Sequence, residues 1–237
     1  MKNKAVRSFL RKNISTVALT MSILCISLPT HANELATFSA TYTVKAYDKL
    51  GTATRTLTKS GNDYHYRVKG LVAGIINLNQ SAQFSLSDGV ITPKNSSMSA
   101  KVFGVGNTHK VIFSHDAQTI SSTYKNKTAT LKMNGQVYDD LSLESQIRQD
   151  LIDGKFSGTY QLVKKTDIET TKFKKSGTSK IIVPAGTYEA IRIDRIHDDK
   201  SRATSFWLAP SLDYLPIKVS QTSGGKMISM ELTKINH

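Results

Sequence analysis

Histidines are the side chains most often used as general bases and metal ligands. Beyond residue 32 the chain has five of them: His65, His109, His115, His197 and His237. His109 and His115 have the same parity in a predicted strand, but at roughly 3.3 Å per residue they would lie about 20 Å apart, too far to share a metal ion. The run His197-Asp198-Asp199 falls in a polar turn, where such side chains are usually solvated. The histidines therefore predict no metal site and no catalytic base.

Carboxylates and glycine-rich loops give no firmer indication of catalysis. Asp139 and Asp140 precede a predicted helix, where N-capping accounts for them. A glycosidase needs two carboxylates that flank a sugar cleft, and the spacing singles out no such pair. The run Gly104-Val105-Gly106 lacks the third glycine and the strand-to-helix context of a dinucleotide site. We therefore expect no catalytic residue and no cofactor, and a cell-wall polysaccharide hydrolase stays as the enzymatic alternative.

Aromatic side chains with cationic neighbours are more abundant, and ligand cavities are mostly apolar with a few polar anchors. The residues that we expect near such a cavity are Trp207, Phe206, Tyr66 and Phe84, with Arg192, Arg202 and Lys218 as cations for an anionic head group. In the strand predicted over residues 204–208, Phe206 and Trp207 would face opposite sides. Either the sheet is curved and covered on both faces, or Trp207 simply fills a core.

The elements that must position these side chains are mainly strands. Apolar and polar residues alternate over residues 37–46, 64–69 and 82–86, and strand patterns resume from residue 159 onward. Asp88-Gly89 and Asn134-Gly135 are turns of the hairpin type. Short strands with a turn signal roughly every 8 to 12 residues favour an antiparallel barrel or sandwich over a parallel sheet.

One segment departs from this pattern. The apolar residues that recur there at helical spacing are Leu141, Leu143, Ile147, Leu151 and Ile152. Asp140 or Ser142 is the candidate N-cap, and Gly154 follows the end, so we predict an amphipathic helix over about residues 141–153. The expected fold is mainly β: one antiparallel, strongly curved sheet or incomplete β-barrel with this single helix packed on or across it. The domain would span residues 33–237.

The N-terminal residues have the three parts of a secretory signal peptide. Five basic residues between positions 2 and 12 precede a charge-free apolar run, residues 14–28, and then Pro29 and the small residue Ala32. The apolar run is shorter than the roughly 20 residues that span a bilayer, so we expect cleavage after Ala32 rather than a membrane anchor. Leu24 before Cys25 disfavours a lipidated N-terminus. Cleavage would remove the only cysteine, and with it thiol chemistry and disulfides.

Removal of the signal peptide would also change the charge. Five of the 32 basic residues would leave, so 27 basic and 18 acidic side chains would remain, a net charge of +9. In the cytoplasm such a charge would suggest nucleic acid as a partner. Export to the periplasm would exclude nucleic acid and leave anionic envelope surfaces, so peripheral contact with an anionic membrane surface is one expectation. The alternative is a charged surface that only keeps the protein soluble.

The most specific motifs lie in the C-terminal third. They are residues 183–190 (Val-Pro-Ala-Gly-Thr-Tyr-Glu-Ala), 202–210 (Arg-Ala-Thr-Ser-Phe-Trp-Leu-Ala-Pro) and 214–219 (Tyr-Leu-Pro-Ile-Lys-Val). With these segments and the helix segment 140–148, the chain resembles the exported bacterial family known only as domain of unknown function 3108. The resemblance implies a β-rich periplasmic or envelope protein, with a rolled sheet similar to those of exported lipid and lipoprotein carriers. It transfers no catalytic residue.

Together these observations predict a non-enzymatic periplasmic protein that binds an apolar or amphiphilic envelope component, lipid or lipopolysaccharide-like, in support of cell-envelope integrity. The alternative partner is an envelope protein, which a scaffold would recruit through exposed strand edges. Two measurements distinguish the hypotheses. A lipid-binding protein should take up lipid, whereas a scaffold should retain one protein partner in stoichiometric amount.

Overall fold

The computed structural model describes residues 34–236, which belong to one compact unit. The predicted signal peptide 1–32, its cleavage site after Ala32, Cys25 and His237 lie outside the described residues. The strands are β1 (Phe38–Ala46), β2 (Lys49–Ser60), β3 (Asp63–Val72), β4 (Ile76–Ser87), β5 (Val90–Val102), β6 (Val105–Ser114), β7 (Thr119–Tyr124), β8 (Lys127–Lys132), β9 (Val137–Tyr138), β10 (Thr159–Lys164), β11 (Asp167–Val183), β12 (Gly186–Ile196), β13 (Arg202–Ala209), β14 (Leu215–Ser223) and β15 (Lys226–Asn236). One α-helix, α1 (Asp140–Ile152), follows β9, and a 3-10 turn (Pro210–Leu212) follows β13.

All these strands form one sheet, in the order β8-β7-β6-β5-β4-β3-β2-β1-β15-β14-β13-β12-β11-β10-β9. Neighbours joined by short turns pair antiparallel, because a short turn permits only that direction. The first and last described strands also pair: Tyr42 of β1 lies between Ala53 of β2 and Leu232 of β15. Within the described range, β9 and β10 form the one parallel pair.

The sheet curls until its two ends approach each other. His109 Nε2 of β6 lies 3.0 Å from the carbonyl oxygen of Lys165, in the turn after β10, and Ser122 of β7 donates to the same oxygen. A small apolar cluster joins the two ends, with Val111 of β6 packed near Val163 of β10. The edge strands β8 and β9 are not paired with each other. The expected mainly β fold, an antiparallel and strongly curved sheet that forms an incomplete barrel with one helix, is confirmed.

The helix differs in two ways from its predicted form. It begins at Asp140, and its N-cap is Asp139 rather than Asp140 or Ser142: Asp139 Oδ1 accepts from the backbone N–H groups of Leu141 and Ser142, and Ser142 Oγ accepts from Asp139 N–H. The helix is also buried almost all round rather than along one apolar stripe. Its buried polar side chains are Ser142, Ser145, Gln146, Arg148 and Gln149. The reason is that the curled sheet covers the polar side of the helix as well.

Two apolar clusters fill the space that the sheet encloses. One surrounds the helix and includes Tyr64, Tyr66 and Phe84. The other lies between β1 and the hairpin β11–β12, whose turn reaches across the sheet so that Ala185 N–H donates to the carbonyl oxygen of Leu232 at 3.0 Å. Among residues 34–236 no helix is long and apolar enough to cross a membrane.

Candidate functional site

A buried ion pair joins the helix to the sheet. Arg55 Nη2 of β2 lies 2.6 Å from Glu144 Oε1 and 2.5 Å from Glu144 Oε2 of α1. Tyr66 of β3 donates its hydroxyl to Glu144 Oε1 at 2.7 Å and accepts from Arg55 Nη2. The side chains of Arg55 and Glu144 are 3% and 13% exposed. A charged pair so far from water holds its geometry only because each partner satisfies the other.

Local sequence places both partners. Inward positions of β2 alternate as Ala53, Arg55 and Leu57, so the arginine occupies a place on the buried face that an apolar residue would ordinarily fill. On the helix, Glu144 and Arg148 are four residues apart and therefore lie on the same side. Two guanidinium groups and one carboxylate thus meet between helix and sheet. We call this group the Arg55 cluster: Arg55, Tyr66, Glu144, Arg148 and the neighbouring Tyr42.

Burial sets the protonation states in the Arg55 cluster. It raises the pKa of Tyr42 to about 12 and the pKa of Tyr66 well above its ordinary value, so both hydroxyls stay neutral. Burial opposes the charge of Arg55, but the Glu144 carboxylate outweighs it and raises the pKa of Arg55 above the ordinary value. Both tyrosines are therefore hydrogen-bond donors at any physiological pH, and Arg55 is a cation.

Arg148 has incomplete partners, as does Arg55, whose Nε has no hydrogen-bond partner among the described residues either. Its side chain is 1% exposed, and its Nε and Nη2 donate to the carbonyl oxygen of Asp213 at 3.2 and 3.1 Å. Its guanidinium lies 5.1 Å from the centre of the Phe38 ring. Within residues 34–236, its Nη1 has no hydrogen-bond partner, and burial lowers the pKa of Arg148. The Arg55 cluster therefore carries one positive charge in excess and, within residues 34–236, two donors without a partner, Arg55 Nε and Arg148 Nη1, which is the chemistry of an anion site.

Three of the seven residues expected near a ligand form a second group, on strands β12 to β14. Trp207 pairs directly with Arg192 and Lys218, and both cations lie over its ring, at 5.5 and 5.7 Å from the centre. Each cation already has an acidic partner: Arg192 Nε lies 2.8 Å from Asp194, and Lys218 Nζ lies 2.7 Å from Glu231. Their charges are thus largely neutralised.

The other expected residues lie elsewhere. Tyr66 and Phe84 are fully buried in the cluster around the helix, and Phe206 packs against it from the opposite face of β13 to Trp207. Arg202 begins β13 and pairs with Ser223. The structure thus brings Tyr66, Phe84 and Phe206 together and, separately, Trp207, Arg192 and Lys218.

Four cavities formed by the described residues differ in size and lining, and none of the seven expected residues lines them. The largest, about 520 Å³, lies on β6 and β7. A second, about 320 Å³, is lined by Tyr138, Gln146, Asp150 and Tyr160 at the helix. A third, about 250 Å³, lies on β3 to β5. The fourth, beside Asp139 and Asp140, holds only about 10 Å³.

The hydrolase geometry, a cleft between two carboxylates, is not present in these four cavities. Asp150 is the one carboxylate that lines the 320 Å³ cavity. Its oxygens accept from Tyr160 at 2.6 Å and from Gln146 at 2.7 Å, and burial raises its pKa in spite of these bonds. Asp139 and Asp140 share a cavity that is too small for a sugar.

The histidines that the structure describes make ordinary polar contacts. His197 Nε2 lies 3.0 Å from Thr204 Oγ1, and His115 Nε2 lies 2.6 Å from the carbonyl oxygen of Pro93. Over residues 34–236, no three histidine, cysteine or acidic side chains lie close enough to hold a metal ion.

The sequence pattern alone does not single out Arg55, Glu144 and Arg148 as functional candidates. The sequence of β2 contains one indication: Arg55 lies between Ala53 and Leu57 at an alternating position that faces the buried side of the strand. The four-residue spacing of Glu144 and Arg148 was a second one. Neither signal says which strand faces which helix turn, since that follows from long-range pairing.

The fold and the site define a class: a protein with an open, curled antiparallel sheet that encloses one helix and a buried charged layer. The chain belongs to the family described as "Protein of unknown function (DUF3108)", whose model matches residues 37–233, so the resemblance noted in its sequence is confirmed. No curated protein matches the chain. A solved structure from Brucella abortus, described as a beta-barrel-like protein of domain of unknown function DUF1849, is similar at a TM-score of 0.56 and 11% identity, over 86% of this chain and 98% of that one. At such identity the similarity shows the fold alone.

Proposed function

We propose that this chain is a non-enzymatic periplasmic protein that binds an amphiphilic envelope component, a lipid or lipopolysaccharide-like molecule, in support of cell-envelope integrity. The observation that carries this proposal is the buried guanidinium of Arg148, whose Nη1 has no partner among the described residues. The anionic head group of the amphiphile would accept from Nη1 and balance the excess charge of the Arg55 cluster.

The energetics favour an anion at this place. A buried donor without a partner costs about 1–3 kcal/mol, and a charged oxygen placed against a guanidinium recovers that cost. The surroundings are apolar, since Phe38 lies against Arg148 and the core cluster around the helix lies beside it. Phe206 and Tyr214 are only partly buried at this cluster and offer contact to an acyl chain.

Access to Arg148 would come from the connection between β13 and β14. Asp213, which accepts from Arg148, and Tyr214 next to it have φ angles of 50° and 56°, in the left-handed region that non-glycine residues occupy at a cost. Displacement of this connection would relieve that strain and free the remaining donors of Arg148. A head group would then replace the Asp213 carbonyl as acceptor.

Native mass spectrometry tests the proposal. Protein produced from the full chain is mixed with phosphatidylglycerol or with lipopolysaccharide, and bound adducts are counted. We expect adducts with the wild type and at least a fivefold smaller bound fraction with Arg148→Met, which keeps the apolar stem and removes the charge. The matched control Arg192→Met removes an arginine that already has an acidic partner and should bind as the wild type does. A wild type without adducts, or equal binding by Arg148→Met and wild type, contradicts the proposal.

A protein partner is the second candidate function. It is favoured by the edge strand β8, which pairs only with β7 among the described strands and offers its other side for strand addition. Crosslinking in the periplasm followed by capture through a tag would retain one protein in stoichiometric amount if the chain is a scaffold. Recovery of bound lipid without such a protein would favour the amphiphile-binding function.

A further inference from the structure

Four of the turns at one end of the sheet are direct neighbours. They join β1 to β2, β3 to β4, β5 to β6, and β14 to β15, and consecutive antiparallel strands place every second turn at the same end. Hydrogen bonds of 3.0 Å link each turn to the next: Tyr47 N–H to Met227 O, Ala73 N–H to Leu50 O, and Phe103 N–H to Ile75 O. The four turns therefore form one continuous row.

Large apolar side chains are concentrated on this row. Its exposed members are Tyr47, Leu50, Leu71, Val102, Phe103, Val105, Met227 and Ile228, which we call the apolar row. They are eight of the thirteen large hydrophobic residues that are exposed in the described chain. Phe103 is 75% exposed and Val105 is 80% exposed. Single exposed apolar residues need no explanation, but a contiguous set of this size marks a contact surface.

The two aromatic residues of the apolar row have backbone conformations that destabilise the fold. Tyr47 and Phe103 have φ angles of 60° and 49°, which tight hairpin turns ordinarily give to asparagine, aspartate or glycine. Phe103 is largely exposed and gains little there from packing, and Tyr47 is about half exposed, with Lys226 over its ring. Their presence therefore points to a contact outside this chain.

The charges on the four turns and their flanks are mainly positive, although the next turn at this end, between β12 and β13, carries Asp198 and Asp199. Lys45, Lys49, Lys101 and Lys226 are exposed beside the four turns, and Asp48 is the one acidic residue on these turns and their flanks. Lys226 Nζ lies 5.6 Å from the centre of the Tyr47 ring. Aromatic and aliphatic tips flanked by lysine are the composition of surfaces that enter the headgroup region of an anionic bilayer.

The largest of the four cavities adjoins this row. It begins at Gly106, the residue after Val105, and its lining includes Lys110 and Lys125 together with the hydroxyls of Thr108 and Thr123. No acidic residue lines it. The Thr123 hydroxyl already contacts Thr128 Oγ1 at 2.8 Å, so the two lysines are the main cationic donors of the cavity. A cavity of about 520 Å³ with two lysines suits a phosphate head group whose acyl chains lie beside the apolar row.

We propose that this end of the sheet docks on an anionic phospholipid bilayer, with Phe103, Val105 and Leu50 in the interfacial region and Lys110 and Lys125 on a lipid phosphate. The lysines beside the apolar row complement the negative charge of such a bilayer, and its interfacial region accepts the exposed apolar side chains. A second copy of this chain is disfavoured, because two lysine-rich ends would face each other. This surface is separate from Arg148, so docking does not rest on the amphiphile site.

Vesicle co-sedimentation of protein produced from the full chain tests the docking surface. The probes are vesicles of phosphatidylcholine alone and of phosphatidylcholine with phosphatidylglycerol. We expect the wild type to bind the second kind, with affinity that falls as salt rises. The double variant Phe103→Asn, Val105→Ser should lower the partition coefficient at least tenfold. Ile182→Ser is the matched control, since Ile182 is 79% exposed on β11 near the hairpin turn at the other end of the sheet, and it should bind as the wild type does.

A second pair of variants tests the phosphate contacts. Lys110→Gln with Lys125→Gln should reduce the preference for phosphatidylglycerol at least threefold, whereas Lys174→Gln with Lys180→Gln, which removes two exposed lysines of β11, should not. The proposal is overturned if the wild type does not bind the phosphatidylglycerol vesicles. It is also overturned if a variant and its control lose vesicle binding to the same extent. A dimer that Phe103→Asn, Val105→Ser abolishes would also overturn it, in favour of a second copy. Arg148→Met should still bind vesicles, so failure of the amphiphile site is distinguishable from failure of docking.

Discussion

Arg55 Nη2 and Glu144 Oε2 lie 2.5 Å apart, although the two residues are 89 positions apart in the chain. This contact fixes how the helix is seated against β2 and β3, and the Tyr66 hydroxyl completes it at 2.7 Å. The side chains have almost no water to replace a lost partner. The free energy of unfolding therefore depends on keeping both charges of this ion pair.

Glu144→Gln should strongly destabilise the fold. It leaves Arg55 charged and buried without its carboxylate, and the loss of one partner of a buried pair costs about 3–5 kcal/mol. Urea unfolding followed by circular dichroism measures the change. Glu169→Gln, which breaks the partly exposed pair with Lys164, is the control and should cost less than about 1 kcal/mol. A cost below about 1 kcal/mol for Glu144→Gln would show that the cluster is not held by this pair.

Asp139 should make stability depend on pH. Burial raises its pKa from 3.8 to about 6, so the folded protein retains a proton that the unfolded chain releases. The stability that this group contributes is present below pH of about 4 and is lost as the pH rises to about 6, up to about 3 kcal/mol. Asp139→Asn keeps an N-cap acceptor and should remove this part of the pH dependence.

The measurement for Asp139 is the urea midpoint of wild type and Asp139→Asn across pH 4 to 7. The difference between the two proteins should grow between pH 4 and about 6, in favour of the variant, and then level off. Asp199→Asn, which removes an exposed carboxylate, should give a difference that does not grow in this way. Parallel curves for wild type and Asp139→Asn would contradict the assignment.

Gly51 should be intolerant of any side chain. A Cβ there would meet the carbonyl oxygen of Leu71 and would lie 2.5 Å from Val72 Cα, both of them backbone atoms that cannot move aside cheaply. Gly51→Ala should therefore lower the free energy of unfolding by about 2 kcal/mol. Gly70→Ala on β3, where the nearest atom is Leu78 Cβ at 3.5 Å, should cost far less. Equal thermal midpoints of the two variants would refute the expectation.

Gly51→Ala has a second consequence that can be measured. Gly51 lies next to Leu50, whose carbonyl accepts from Ala73 in the neighbouring turn. Separation of β2 from β3 would therefore disturb the apolar row. Vesicle binding by the folded fraction of Gly51→Ala should fall relative to Gly70→Ala.

Much of the fold follows from local pattern, and the site does not. Alternation over residues 37–46 predicts β1, and helical spacing predicts α1 to within one residue at each end. β2 is less apparent, because its buried positions carry Ala53 and Arg55, which break the expected run of large apolar residues. Burial of Arg148 is not predictable from the helix alone, since the sheet that covers it comes from distant strands. The alternation of side chains along a strand correctly places Phe206 and Trp207 on opposite faces of β13. It does not predict which residues each of them contacts.

The pairing of β1 with β15 has a consequence for the timing of assembly. The hydroxyls of Thr43 and Thr233 lie 3.0 Å apart although 190 positions separate them. Hairpins from β2 to β8 can form as soon as they are synthesised, but the seam between the first and last strands waits for nearly the whole chain. Contacts so distant in sequence slow folding. The middle of the sheet, where β1 pairs with β15, therefore stays incomplete until nearly all of residues 34–236 have been synthesised.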